Sequence, residues 1–345
     1  MEVKKIVLTG GPCAGKTKIL EYLVKELEKE GFYVIVVPET ASQYISNNIL
    51  PNDDREHTLM FQDIILHTQL VKEEAAETYA EFIKDKNNII ILYDRGIMDN
   101  RAYFSQTDYD NLLKKYNINE LELLDKYDLV IDLISTATLK KDSYELNETR
   151  SEDIEKASQI DKLTSLAWTL HKNLKVVKPT EKLEEKADIV LNLIHDLINN
   201  NLVSDYVSVE IEQNSPIFDE FDENNSKKIS IEHIWLDIDD GFDYVITRKK
   251  YNSYTSYALK KIDGDEVVRS NKITQEEYLW FIDLYGIKYE EIIEKIVHID
   301  KGNYFQIVTK DDKVYLETKK ENIEYIPGNI VLKKQKGKTL IKQKI

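Results

Sequence analysis

Eight residues near the amino end, Gly10-Gly11-Pro12-Cys13-Ala14-Gly15-Lys16-Thr17, have the types and spacing to grip a phosphate. They fit G-x-x-x-x-G-K-[ST], a loop whose backbone N–H groups wrap an anion. Glycine lets the backbone close around phosphate oxygens. Lys16 would reach the β- and γ-phosphates as a point charge, and Thr17 would offer its hydroxyl to Mg2+. The competing reading is a fortuitous Gly-rich turn, and the flanking sequence argues against it. Ile6-Val7-Leu8-Thr9 reads as a buried strand, and Lys18 to Glu30 as a helix with Ile19, Leu20, Leu23, Val24 and Leu27 on one face. The loop then lies at a helix N-terminus, where the dipole favours negative charge.

Other residues could serve the same chemistry. Asp94 closes the apolar run Ile89 to Tyr93, where a carboxylate would face the crevice beyond a parallel sheet and hold Mg2+ directly or through water. Asp132, ending a later run, is its rival. Arg95 could clamp a phosphate or carboxylate bidentately, or be a surface arginine after a helix cap. Glu39, in Val37-Pro38-Glu39-Thr40, could be a general base towards an acceptor hydroxyl, orient a water, or lie at a helix N-cap. Arg150 could close as a lid over the γ-phosphate or pair with neighbouring acids, and Lys140 and Lys141 are weaker lid candidates. Gln62 and Gln69 share one face of a helix and could read a base or acceptor, or be solvated. Cys13 has no nearby histidine to activate it, and the six histidines show no metal-ligand spacing.

These residues need a frame, and the first 200 positions supply a βαβα rhythm. Strands are expected at 32–37, 88–93, 129–134 and 174–177, and helices at 57–84, 111–126, 151–170 and 180–199. That alternation predicts an α/β fold with a mostly parallel sheet. The pattern changes after a boundary at 200–204. Tyr-rich short strands follow at 206–211, 229–237, 244–248, 255–261, 295–299, 304–309, 313–318 and 330–333. One helix interrupts them at 274–284, with Thr274 and Glu277 forming a capping box. The expected domains are 1–200, a phosphate-binding α/β domain, and 204–345, an antiparallel sheet or barrel. In the second, Glu210, Glu212, Arg248, Lys260, Lys272 and Glu317 could line a polyanion-binding tunnel or form a solvated face. The 218–225 stretch reads as an acidic loop and 333–344 as a Lys-rich tail.

The bulk numbers narrow the classes. A net charge of −16 over 345 residues argues against general nucleic-acid binding. The single cysteine rules out an internal disulfide and suits a reducing compartment. Charges interrupt the amino end at once, and no apolar run reaches the roughly 18 residues of a membrane span. The expected location is cytoplasmic.

In combination the motifs resemble the NadR/Ttd14-like P-loop proteins over about residues 1–200. The resemblance rests on Ile6 to Thr17, Val37-Pro38-Glu39-Thr40-Ala41, Phe61-Gln62, Tyr93-Asp94-Arg95-Gly96-Ile97-Met98-Asp99, Arg150-Ser151-Glu152-Asp153 and Leu183-Glu184-Glu185-Lys186, in that order. Further on, Ile231 to Leu236, the Tyr244-to-Lys261 hairpin and Lys272 to Leu279 resemble the CYTH triphosphate-tunnel fold. Glu210-Ile211-Glu212-Gln213-Asn214 departs from the E-x-E-x-K of tunnel enzymes, and the late glutamate pair expected near Ile330-Val331-Leu332 is missing. The resemblance implies a nucleoside/nucleotide-kinase-like P-loop NTPase domain followed by an α+β CYTH-like domain, with GTP and phosphatidic acid as ligands of an animal member.

The expected activity is Mg2+-dependent ATP or GTP binding with hydrolysis or kinase-like transfer. Lys16 would hold phosphates, Thr17 and Asp94 Mg2+, Arg95 and Arg150 the developing charge, and Glu39 the acceptor or water. The C-terminal domain would bind a phosphorylated ligand. One alternative is a nucleotide switch or adaptor for a phospholipid or protein partner; the other is a tunnel-type triphosphatase.

Overall fold

The computed structural model describes residues 3–11, 14–52, 54–85, 88–135, 148–199, 202, 206–211, 226–264, 266–300 and 303–319. Contacts divide the chain into two compact units, one mainly of residues up to 204 and one mainly of those from 205 on.

In the first unit the apolar runs become β1 (Val3–Thr9), β2 (Tyr33–Val37), β3 (Ile89–Asp94), β4 (Leu129–Leu133) and β5 (Leu174–Val177). They form a parallel sheet ordered β2-β3-β1-β4-β5. The helices are α1 (Lys16–Lys29), α2 (Thr40–Ser46), α3 (Arg55–Ile83), a 3-10 helix (Ile97–Tyr103), α4 (Gln106–Lys115), α5 (Glu120–Asp125), α6 (Glu148–Trp168) and α7 (Leu183–Ile198). Strand side chains alternate between faces. On one face Ile6, Leu8, Ile90, Leu92, Ile131 and Leu133 pack against Ile19, Leu23 and Leu27 of α1 and Val190 and Ile194 of α7. On the other, Val7, Ile91, Tyr93 and Val130 are buried as well. Complete burial on both faces explains why these strands read as unbroken apolar runs. Each such side chain stabilises the sheet by roughly 1.5–3 kcal/mol.

β1 lies at the centre, and register sets Leu8 beside Asp94 of β3 and Thr9 beside Asp132 of β4. From β1 the chain runs through α1 to the β2 edge, whereas from β4 it runs to β5 at the opposite edge. The carboxyl ends of β1 and β4 therefore frame a switch point, where open α/β sheets bind ligands.

The structure corrects the local reading in places. The helix expected at 111–126 is broken into α4 and α5. Asn117 takes a left-handed φ of 53°, and the Ile118 N–H closes back onto the Leu113 carbonyl at 2.9 Å, which ends α4. The 3-10 helix and α2 enter the sequence reading only through the cap alternatives for Asp94-Arg95 and Glu39; both are short and sit just beyond a strand end.

In the second unit the strands are β6 (Tyr206–Glu210), β7 (Ser226–Leu236), β8 (Asp243–Tyr251), β9 (Tyr254–Asp263), β10 (Glu266–Ile273), β11 (Ile287–Asp300), β12 (Asn303–Lys310) and β13 (Lys313–Lys319). They form one sheet ordered β10-β9-β8-β7-β11-β12-β13-β6. Among the described residues no pairing of β10 with β6 closes it into a barrel. The helix α8 (Gln275–Tyr285) carries the expected capping box and covers one face through Tyr278, Phe281 and Ile282, against Ile234, Ile246 and Ile273. β10 escaped the sequence reading because its exposed Arg269-Ser270-Asn271-Lys272 stretch has no apolar face to bury; it is an edge strand. The expected strand at 330–333, the acidic loop at 218–225 and the Lys-rich tail lie outside the described residues.

Candidate functional site

The phosphate loop leaves β1 through Gly10 at φ 132°, in the region that favours glycine. A Cβ at Gly10 would lie 2.2 Å from the Leu133 carbonyl oxygen, so the loop can only pass this close to β4 without a side chain. Gly15, at φ 90°, is the N-cap of α1. Lys16 opens the helix and is buried. Its Nζ donates to the Gly10 carbonyl at 2.8 Å and the Gly11 carbonyl at 2.9 Å. Burial lowers its pKa, as does the Arg95 guanidinium, against the pull of Asp99, Glu39 and Asp94. Thr17 is exposed and Ala14 buried, while Pro12 and Cys13 lie outside the described residues.

On the β3 side, Asp94 is buried and its Oδ1 has no hydrogen-bond partner among the described residues. Desolvation and the nearby Glu39 charge raise its pKa, with Lys16 and Arg95 opposing. Arg95 turns the chain out of β3 at a positive φ of 70°, a conformation that costs a non-glycine residue about 1–3 kcal/mol and marks functional sites. Its N–H is tied to the Leu8 carbonyl of β1 at 3.0 Å. Its Nε donates to Glu39 Oε1 at 2.5 Å and its Nη1 to Asp99 Oδ2 at 3.4 Å. Burial alone would lower the Arg95 pKa, but Asp99 and Glu39 more than reverse this and the guanidinium stays charged. Glu39 is the N-cap of α2, and Ser42 donates to its other oxygen. Burial works against the ionised form of Glu39, yet Arg95 and the Ser42 hydroxyl bring its pKa below the usual value. Asp99 is fully buried. It accepts from the Thr9 hydroxyl at 2.7 Å and from the Trp168 indole N–H at 2.5 Å.

The β4 side holds groups that the sequence reading missed or left aside. Asp132 has no solvent exposure; Ser165 donates to its Oδ2 at 2.5 Å, and its Oδ1 has no partner among the described residues. Burial and the neighbouring Asp161 push its pKa up to about 7. Asp161 of α6 accepts from the Gly11 N–H at 2.6 Å and from the Ser135 N–H at 3.4 Å. Lys186 of α7 donates from Nζ to the Ala14 carbonyl at 3.0 Å and to the Ile134 carbonyl at 2.9 Å. Burial lowers its pKa to about 8 despite Asp132 and Asp161. The loop is thus clamped from two helices far along the chain.

The model of a family described as AAA domain, AAA_28, matches residues 5–186, more than half of the 345-residue chain. The chain belongs to this AAA-domain family. No curated protein matches it. The match runs from β1 through the loop, Glu39, Asp94 and Asp161 to Lys186, so it covers every group described above. It supports a P-loop NTPase-like α/β domain and suggests nucleotide binding as the use of the loop.

In the AAA domain the structure brings Lys16, Glu39, Asp94, Arg95 and Asp99 into one electrostatic cluster. Gln69 is not available to read a base: its side-chain amide donates to the Arg95 carbonyl at 2.9 Å and to Glu73 at 3.2 Å, which holds the turn after β3. Gln62 is buried on the same helix. Arg150 falls in the first turn of α6, but its side chain, and Lys140 and Lys141 entirely, lie outside the described residues. Among the described residues no three His, Cys, Asp or Glu side chains converge as a metal cage. Mg2+ needs none, because it keeps waters and takes one or two protein oxygens beside phosphates. No helix of the described residues is long and apolar enough to cross a membrane.

Beyond the AAA domain, register separates the charges expected to share a tunnel face. Glu232, Arg248, Tyr257 and Ile273 are successive cross-strand neighbours on the face that α8 covers. Arg248 there pairs with Glu232 at 2.5 Å. Lys260 and Lys272 lie on the opposite face, which also carries His233, Lys249, Glu291 and Lys295. Glu210 and Glu317 share a face with Gln306, whose side-chain amide donates to Glu317. Lys310, on that same face of β12, pairs with Glu291, which links the two groups. Arg248 is therefore removed from the candidate lining. Glu212 and Asn214 lie outside the described residues.

Proposed function

We propose that the AAA domain binds a Mg2+-nucleoside triphosphate, ATP or GTP, and transfers its terminal phosphoryl group to water or to a hydroxyl acceptor. One observation carries this reading: the buried Oδ1 of Asp94 at the mouth of β3, unpartnered among the described residues and in the field of Lys16. A buried carboxylate oxygen left unpaired is costly unless a cation meets it. The donor set fits a hard cation, since Asp94 supplies an anionic oxygen and the exposed Thr17 a hydroxyl. When bound, Mg2+ would neutralise charge on the phosphates. Lys16 would leave its loop carbonyls for the β- and γ-phosphates. Arg95, held in place by Glu39 and Asp99, would face developing negative charge, with Arg150 closing from α6. Glu39, kept ionised by Arg95, has lone pairs left to accept a hydrogen bond from an acceptor hydroxyl or a water.

Isothermal titration of the full chain with ATP and GTP in the presence of Mg2+ tests this. Binding by the wild type that weakens about a hundredfold or more in Lys16→Ala supports it. No binding of either nucleotide by the wild type at millimolar concentration overturns it. Turnover separates transfer from switching. A kinase consumes nucleotide only with its acceptor, at about 1–100 s⁻¹, whereas a switch turns over far more slowly and changes partner or lipid binding instead.

For the second unit we read the His233 face as a site for a phosphorylated ligand. The supporting observation is that register places Lys249, Lys260, Lys272 and Lys295 on one face with His233. The His233 pKa falls to about 4, chiefly through burial, with Lys260, Lys249 and Lys295 adding to it and Glu291 opposing. The ammonium groups gathered on that face, not the neutral imidazole, would favour an incoming anion. This use of the sheet agrees with the CYTH-like resemblance, as the motif order agrees with a NadR/Ttd14-like, cytoplasmic protein. Inorganic triphosphate and vesicles containing phosphatidic acid, offered to the Lys16→Ala chain, test it. Binding that Lys260→Ala abolishes supports the reading, and no binding of either probe ends it.

A further inference from the structure

The Gly10–Gly11 peptide shows a complete arrangement: its carbonyl accepts from the Lys16 ammonium, and its N–H donates to the Asp161 carboxylate. A trans peptide points its C=O and N–H in opposite directions, so a cation on one side and an anion on the other fix its orientation. A cation on the oxygen also strengthens the N–H as a donor. The Ala14–Gly15 peptide repeats the cationic half, with Lys186 Nζ 3.0 Å from the Ala14 oxygen. The same ammonium reaches the Ile134 carbonyl just past β4, which anchors it to the sheet. Gly15 is the N-cap of α1, so its N–H belongs to the group of donors that the helix itself leaves unpaired.

Resting on the reading that this loop holds a nucleotide phosphate, we propose that Lys186 is a positioning residue of the loop: it draws back the Ala14 carbonyl so that the Gly15 N–H is turned and polarised toward the phosphate, while Asp161 fixes the loop's other arm through Gly11. Lys186 does not touch the nucleotide. Its charge acts through one peptide bond.

The groups facing the Lys186 ammonium are Asp132 of β4, Asp161 of α6 and Lys16 of α1. Burial lowers the Lys186 pKa to about 8, with the two carboxylates opposing, so its pull fades as pH rises through that value. Lys16 is lowered too, and the wild-type profile alone does not separate the two lysines. Lys186→Arg does, because a guanidinium keeps its charge throughout.

The experiment compares wild type, Lys186→Arg and Lys186→Met in the full chain. One readout is affinity for non-hydrolysable ATP and GTP analogues with Mg2+, below and above the Lys186 pKa. The other is hydrogen exchange of the loop amides without nucleotide. Lys186→Met is expected to weaken binding about tenfold near neutrality and speed exchange at residues 14–17, with Lys186→Arg close to wild type. Above the Lys186 pKa the wild type is expected to lose affinity that Lys186→Arg keeps. Equal affinity and exchange in wild type and Lys186→Met overturn the proposal. If Lys186→Met does not fold, an alkaline loss of the same size in Lys186→Arg overturns it. Where the wild type binds neither analogue but Lys186→Met still loosens the loop, it is the nucleotide reading that fails.

Discussion

On the β3 flank of β1, Asp94, Asp99 and Glu39 sit with Lys16 and Arg95; on the β4 flank, Asp132 and Asp161 sit with Lys186. Both flanks are buried and both place carboxylates at strand ends. The difference lies in the cation. Arg95 never releases its proton and grips two carboxylates, so Glu39 stays ionised below its usual range. The β4 flank has one lysine, itself weakened by burial, and there the Asp132 carboxyl climbs to about 7. The β3 flank keeps Glu39 and Arg95 charged, although burial raises the Asp94 and Asp99 pKa values there too. The other drifts toward neutrality and serves as backing for the loop.

Gly10 joins the flanks, and replacing it should break the comparison outright. In Gly10→Ala a methyl would be forced against the Leu133 carbonyl at a φ that alanine avoids. A loss of roughly 3–5 kcal/mol of folding stability is expected in urea unfolding. A change below about 1 kcal/mol would mean that the loop can leave β4 freely.

Asp132→Asn tests the drift toward neutrality. The folded carboxyl titrates near 7 and the unfolded one near 4, so the unfolded chain loses its proton first. Wild-type stability should therefore fall as pH rises between those values and then level off. The asparagine variant lacks this decline, and its advantage should grow to on the order of 2–4 kcal/mol above pH 7. Parallel stability curves for the two proteins would refute the raised value.

Asp94→Asn addresses the charged flank. The dependence of triphosphate affinity on Mg2+ should flatten by about tenfold, and chelating the metal should weaken the wild type by a similar factor. If Asp94→Asn keeps the full metal dependence and Asp132→Asn loses it, the metal belongs on the β4 flank. The smallest effect is expected outside the AAA domain. Arg248→Ala breaks a partly buried pair with Glu232, and about 0.2–1 kcal/mol should be lost on unfolding. A larger loss would show that this pair behaves like the buried ones.

The loop, its strand and its helix were legible because they are contiguous: an apolar run, glycines, then lysine at a helix start. The positions of Asp94 and Glu39 just beyond strands were legible because strand ends announce themselves. Asp161 and Lys186 were not. They reach the loop across 150 and 172 residues of sequence, and on their own helices they look like ordinary surface charges. In the sequence the Lys186 segment stands out only through the family resemblance, which attaches no role to it. The split between α4 and α5 depended on one left-handed asparagine, which no periodicity reveals. In the second unit alternation showed that strands were present, but not which strands paired. Without register, Arg248 could not be told from Lys260 as a resident of the opposite face.

Trp168 offers a last consequence. Its indole N–H rests on Asp99, the carboxylate that also holds Arg95, and its ring edge meets Tyr127 at a centroid distance of 5.5 Å. An indole wired to that carboxylate is a built-in optical gauge: any ligand that draws Arg95 away alters the field along the ring and shifts its emission. The other two tryptophans, Trp235 and Trp280, belong to the second unit, so the signal from the first comes from one fluorophore and needs no dye.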